Sequence, residues 1–156
     1  MVGEEYSGVV SPDGPPGWWD FMLRILMNGQ FGISSQVSSW PPALRGRAAA
    51  NVALYKQIRA LIGRADVYHL TPPPAHDDPC GWMAIEYVPT DREQAVVMAY
   101  RLTGAARQRF PLRGLDPAAP YRINGQTHTG QELMSEGLEV NLDAEWRAGV
   151  IELQAE

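Results

Sequence analysis

The sequence predicts a mainly β protein: an antiparallel β-sandwich domain preceded by a short α/β piece. Three observations carry this. Two stretches before residue 63 repeat apolar residues at spacings of three and four, the period of a helix. From Asp66 onward the period changes to short strand-like runs, each bounded by Gly, Pro or Asp. Asn124-Gly125, set between two such runs, is a strong hairpin turn signal. The chain divides near residue 65, into an α/β segment at 1–65 and an all-β domain at 66–156.

Residues 1–17 are polar and turn-rich, ending in Ser11-Pro12-Asp13-Gly14-Pro15-Pro16-Gly17. Trp18 to Met27 reads as a helix with Trp18, Met22, Ile25 and Leu26 on its apolar face, stopped by Asn28-Gly29. Phe31 to Val37 is apolar at alternate positions and reads as a strand. Ser38-Ser39-Trp40-Pro41-Pro42 offers hydroxyl caps and then Pro in a first turn. The helix it opens runs to about Ile62, with Leu44, Ala48, Val52, Tyr55, Ile58 and Ile62 on one face and Gly63 as its C-terminal cap. Strands are then expected at Val67–Leu70, Trp82–Val88, Ala95–Arg101, Arg109–Arg113, Tyr121–Asn124, Leu138–Leu142 and Ala148–Leu153.

Composition bounds the function. A hydrophobic fraction of 45% with five Trp supplies a core, which argues against disorder. The net charge is −5 and Lys56 is the only lysine, so nothing favours a nucleic acid or an anionic membrane. Cys80 is the only cysteine, so no intrachain disulfide forms. Glu4 and Glu5 stand where a leader would be basic, and Phe21 to Met27 falls far short of the roughly 20 apolar residues of a span. The expectation is a cytoplasmic protein with no membrane segment.

Several ordered motifs resemble one enzyme family. Phe31-Gly32-Ile33-Ser34-Ser35, Ser39-Trp40-Pro41 and Tyr55-Lys56-Gln57-Ile58-Arg59 are followed by Val67-Tyr68-His69-Leu70 and Tyr100-Arg101. Leu115-Asp116-Pro117, Tyr121, Gly130, Leu133-Met134 and Gly137-Leu138 close the series. In order and spacing these resemble the C-terminal region of glycoside hydrolase family 36, the α-galactosidases. The resemblance covers roughly residues 8–153. It implies that residues 1–65 are the last one or two units of a (β/α)8 barrel and that 66–156 form the closing sandwich. It implies a parent enzyme that hydrolyses terminal α-galactosides.

Retaining glycosidases need two carboxylates about 5–5.5 Å apart. The resemblance places the two aspartates in barrel strands that this sequence does not match. Lys56 is mid-helix and followed by Gln57-Ile58, and Asp77-Asp78 lies in a Pro-flanked loop. No catalytic residue is therefore assigned. The resemblance puts Ser34 and Ser35 at the end of the last barrel strand and Ser11 with Asp13 at the end of the one before, lining a sugar pocket. The plainer role of Ser34 and Ser35 is to satisfy backbone groups at a strand end. His76 and Cys80 fall short of the four ligands of structural zinc, so no metal and no cofactor is expected. Trp18 and Trp82 fit core positions, and Trp146, ahead of the last strand, is expected to be exposed. Arg101, Arg107, Arg109 and Arg113 read as a solvated face.

The expected role is thus a brace for the barrel of an α-galactosidase, inactive alone. A free-standing carbohydrate-binding or interaction sandwich is the alternative. An incomplete barrel would leave the 31–37 strand edge unpaired and favour self-association or a barrel-bearing partner chain.

Overall fold

A computed structural model of the chain describes residues 17–72 and 81–156. Two compact units make it up, Met1–Gln57 and Ile58–Glu156. Among the described residues no helix is long and apolar enough to cross a membrane.

In the first unit, helix α1 spans Trp18–Leu26 and a 3-10 turn spans Val37–Ser39. Helix α2, Pro42–Ile62, begins in this unit and ends in the second. Trp19, Leu23, Trp40, Leu44 and Ala48 form the buried core, with Phe31 and Ile33 against it. The rings of Trp19 and Trp40 lie 5.8 Å apart, and Phe31 stacks on Tyr55 at 4.5 Å. This corrects the expected face of α1. Trp19, Leu23 and Met27 point inward, while Leu26 is 36% exposed. Asp20 and Arg24 mark one polar side and leave a wide apolar arc, and the residues packed with Trp40 and α2 are the ones that turn inward.

The expected strand at 31–37 is absent. The segment is irregular and ends in the 3-10 turn, and among the described residues this unit holds no strand to pair with it. The Ser39 hydroxyl donates to the Gln36 carbonyl at 2.8 Å instead of capping α2. Helix α2 ends at Ile62, where the Gly63 N–H makes an ordinary helical bond to the Arg59 carbonyl at 3.0 Å and Gly63 does not adopt the left-handed conformation of a glycine cap.

The second unit is an antiparallel sandwich of two unequal sheets. Its strands are β1 (Ala65–His69), β2 (Trp82–Pro89), β3 (Gln94–Arg101), β4 (Arg107–Phe110), β5 (Pro120–Ile123), β6 (Gln126–Thr129), β7 (Leu138–Asn141) and β8 (Arg147–Ala155). The large sheet has the order β1-β2-β3-β8-β5-β6, and β4 pairs with β7 in the small one. Helix α3, Gly130–Ser135, connects β6 to β7.

The core lies between the sheets. Ala84, Val88, Ala95, Val97, Ala99, Tyr121, Ile123 and Leu153 from the large sheet meet Phe110, Leu138 and Val140 from the small one and Leu133 from α3. Ile85, Tyr87, Val96, Met98 and Tyr100, on the opposite face of β2 and β3, are buried as well. Both faces of the central strands are therefore dry, which accounts for their continuous apolar runs.

Two elements escaped the sequence reading. Strand β6 is Gln-Thr-His-Thr, with no apolar alternation to reveal it. Helix α3 is six residues long, too short for a period to show. Strand β4 sits earlier than expected because Pro111 has no N–H to continue the ladder. Beyond it the Leu112 N–H donates to the Leu133 carbonyl at 3.0 Å.

Candidate functional site

Ser34 and Ser35 lie on the exposed irregular segment ahead of the 3-10 turn. The Ser35 hydroxyl accepts from the Trp40 indole N–H at 3.1 Å, and its carbonyl accepts from the Val37 N–H at 2.9 Å. Ser35 therefore fixes the orientation of a core tryptophan. Ser11 and Asp13 fall outside the described residues, as do residues 76–80 with His76 and Cys80. Among the described residues no three His, Cys, Asp or Glu side chains are grouped to hold a metal ion.

A polar cluster links α1 to α2. Asn51 is 3% exposed. Its amide nitrogen donates to Asp20 at 2.9 Å and to the Arg47 carbonyl at 3.0 Å, and its amide oxygen accepts from Arg24 Nε at 3.2 Å. The Arg47 guanidinium stands 3.7 Å from Asp20. The signal for this cluster was in the sequence: Asn51 interrupts an otherwise apolar ladder of Leu44, Ala48 and Tyr55. A polar residue placed there must be matched by partners, since an unmatched buried amide is costly.

The tryptophans divide. Trp19 and Trp40 are core. Trp18 stacks on Phe21 at 5.8 Å, and Trp82 meets the edge of Phe110 at 5.8 Å while its N–H donates to the Ala105 carbonyl at 3.0 Å. Trp146 is 38% exposed at the entry to β8.

Arg101 is not part of a solvated face. Its guanidinium donates to the Leu142 carbonyl at 2.7 Å and to the Gly104 carbonyl at 2.6 Å, tying the end of β3 to the loop before β8. Arg109 is exposed and pairs with Glu139 across β4 and β7 at 3.1 Å.

Three carboxylates hold turns and element ends. Asp91 pairs with Arg64 and accepts from the Glu93 N–H, and its carboxyl is held below the usual range by those contacts, Arg64 first. Asp116 accepts from the Ala118 N–H at 2.9 Å. Glu132 closes a capping box with Thr129 at the start of α3.

Glu86 is different. It sits in the middle of β2, fully buried, with one carboxyl oxygen accepting from the Arg113 N–H at 2.7 Å. Burial pushes its pKa from the ordinary 4.5 up to about 8, against the pull of the Arg113 N–H and guanidinium. The run Trp82 to Pro89 gave no hint of this beyond the presence of an acid among apolar residues.

Comparison with known proteins places this architecture. Residues 82–153 match the Glycosyl hydrolase family 36 C-terminal domain. The chain is 30% identical over 135 residues to Alpha-galactosidase C of Emericella nidulans and 26% identical over 133 residues to Alpha-galactosidase 2 of Hypocrea jecorina. Each alignment covers 83% of this chain and 17% of the relative. The crystal structure of the family 36 alpha-galactosidase AgaB from Geobacillus stearothermophilus superposes with a TM-score of 0.74 at 25% identity, over 85% of this chain and 18% of that one. The chain thus spans less than a fifth of the length of these proteins.

Proposed function

We infer, from a chain that is the C-terminal region of a glycosyl hydrolase family 36 protein, that it serves as the brace of an α-galactosidase-type catalytic barrel. One observation carries the reading: the relatives align along 83% of this chain but over only 17% of themselves. In this reading residues 1–65 are the terminal piece of the barrel and 66–156 the closing sandwich. The parent enzyme hydrolyses terminal α-galactosides with a pair of carboxylates contributed by another part of its barrel, and the chain by itself is inactive. Ser11, Ser34 and Ser35 line the edge of the sugar pocket once that barrel is whole.

Self-association or a barrel-bearing partner chain belongs to the same reading. Leu26 and Val37, at 36% and 40% exposed, are the apolar residues of the first unit that such a partner would cover. A cytoplasmic location is also part of it, supported by the single cysteine.

The test is hydrolysis of p-nitrophenyl α-galactoside by the purified 156-residue chain. No turnover is expected, and robust turnover would sink the inactive-brace reading. Trp146 favours a second reading, because an exposed indole is a platform for the apolar face of a sugar ring. Calorimetric titration with galactose, melibiose and raffinose separates the two: heat without turnover supports a binding module, and no heat leaves the brace.

A further inference from the structure

Glu86 lies on the core face of β2 between Ala84 and Val88, at 0% exposure. The residues opposite it on that face are Tyr68 of β1 and Val97 of β3. One carboxyl oxygen accepts from the Arg113 N–H at 2.7 Å. The other is buried with no hydrogen-bond partner among the described residues.

Arg113 belongs to the turn that follows β4, a turn whose Leu112 and Leu115 are buried in the core and whose Asp116 N–H donates to the Tyr121 hydroxyl at 3.1 Å. The Leu112 N–H donates to the Leu133 carbonyl at 3.0 Å. The Arg113 N–H donates to Glu86. Gly114, at φ +72°, lies against the Tyr68 ring so closely that a Cβ there would stand 2.7 Å from it. Among these fastenings, the one to Glu86 is made by a carboxyl group.

We propose that Glu86 is a proton-operated latch for the Leu112–Asp116 turn: the turn stays closed over the neutral acid, and ionisation, which the Arg113 N–H assists but the dry surroundings penalise, opens it to water. The physical reason is the cost of a charge in that setting. A carboxylate enclosed by Ala84, Val88 and Val97 loses its hydration, and the one hydrogen bond it accepts does not replace four water contacts. The groups facing it are the Tyr68 phenol from β1, the apolar Val97 from β3, and the Arg113 backbone and guanidinium from the turn. Arg113 is exposed, so its charge is screened by water. Lifting the turn, with its buried Leu112 and Leu115, would bring water to the carboxylate. Burial holds the proton on Glu86 until the pH approaches about 8, which sets the range in which the latch opens.

The test uses the intact 156-residue chain labelled with carbon-13 at the Glu carboxyls. Nuclear magnetic resonance follows the Glu86 carboxyl through pH 5 to 10 (a span chosen around the midpoint near 8). Hydrogen exchange at the Arg113 amide, corrected for base catalysis, is followed over the same span. The expected result is a Glu86 midpoint near 8 and a loss of Arg113 protection of about tenfold with that same midpoint. Glu86→Gln, which keeps an oxygen for the Arg113 N–H, should keep its protection throughout. An ordinary carboxyl midpoint, an Arg113 amide indifferent to the Glu86 titration, or the same loss in Glu86→Gln would each overturn the proposal. Should Glu86→Gln not fold, the two wild-type midpoints decide by coinciding or not.

Discussion

The Tyr121 hydroxyl donates to the Arg92 carbonyl at 2.8 Å and accepts from the Asp116 N–H at 3.1 Å. Arg92 sits in the β2–β3 turn at φ 58°, a left-handed conformation that costs a bulky residue roughly 1 kcal/mol. One fully buried phenol thus satisfies backbone groups of two turns that lie 24 residues apart in sequence (116 minus 92).

Tyr121→Phe should therefore destabilise the sandwich by about 1–2 kcal/mol, because it removes two part-buried hydrogen bonds while leaving the packing intact. Denaturant unfolding of the two chains checks it. A change near zero would mean that both backbone groups find other partners in the variant.

The elements that sequence could place are those whose burial writes a pattern. Strands β2 and β3 are dry on both faces, and β7 alternates buried and exposed as Leu138, Glu139, Val140 and Asn141. Strand β6 presents polar side chains at each position, and only its pairing with β5 beyond Asn124-Gly125 makes it a strand. Thr129-x-x-Glu132 was a readable capping signal for α3. The expected strand at 31–37 failed for the opposite reason: its alternation is real, but a strand exists only with a partner. As for the candidate site, serine hydroxyls carry no sequence mark that foretells an indole contact, and Ser35 makes one with Trp40. Glu86 was visible as a letter, but its burial depends on β1, β3 and a turn 27 residues away.

Two glycines separate strain from collision. Gly125 has φ +84° in the β5–β6 hairpin with open space around its missing Cβ. Gly125→Ala should cost about 1 kcal/mol from backbone strain alone, and Gly125→Asn much less, because Asn tolerates the left-handed region. A Cβ on Gly130 would collide with the Asp116 carbonyl oxygen, a backbone atom. Gly130→Ala should cost about 3 kcal/mol through displacement of the turn or of α3. Comparing the three midpoints in urea checks the order, and a Gly130→Ala chain as stable as Gly125→Ala would contradict it.

The capping box at α3 gives an acid-side signature. The Glu132 carboxyl accepts from the Thr129 N–H at 2.9 Å, and the Thr129 hydroxyl accepts from the Glu132 N–H at 3.2 Å. Thr129→Ala should cost about 1 kcal/mol at neutral pH. The Thr129 contacts hold the Glu132 carboxyl below the usual range. A lowered folded-state pKa contributes stability above the unfolded value and loses it as pH falls through the folded one. Wild type should therefore lose its advantage over Glu132→Gln on acidification, and equal differences at neutral and acid pH would exclude a role for the ionised carboxylate.

Glu86 gives the reverse signature. Its folded-state pKa is raised from 4.5 to about 8, so between those values the folded chain holds a proton that the unfolded chain has released. Stability is then greatest below 4.5, declines as pH rises toward 8, and levels off above it, with a steepest slope of about 1.4 kcal/mol per pH unit from this group. Glutamine has no proton to lose and should remove that slope. Measured by denaturant unfolding, the stability of Glu86→Gln relative to wild type should rise from pH 5 to pH 8 and then stay level. The two carboxylates thus pull in opposite directions. Glu132 acts on the acid side and Glu86 through neutrality, so the variants Glu132→Gln and Glu86→Gln should depart from wild type in separate pH ranges. A constant difference between Glu86→Gln and wild type over that span would mean that the buried acid is hydrated in the folded chain and titrates as it does in the unfolded one.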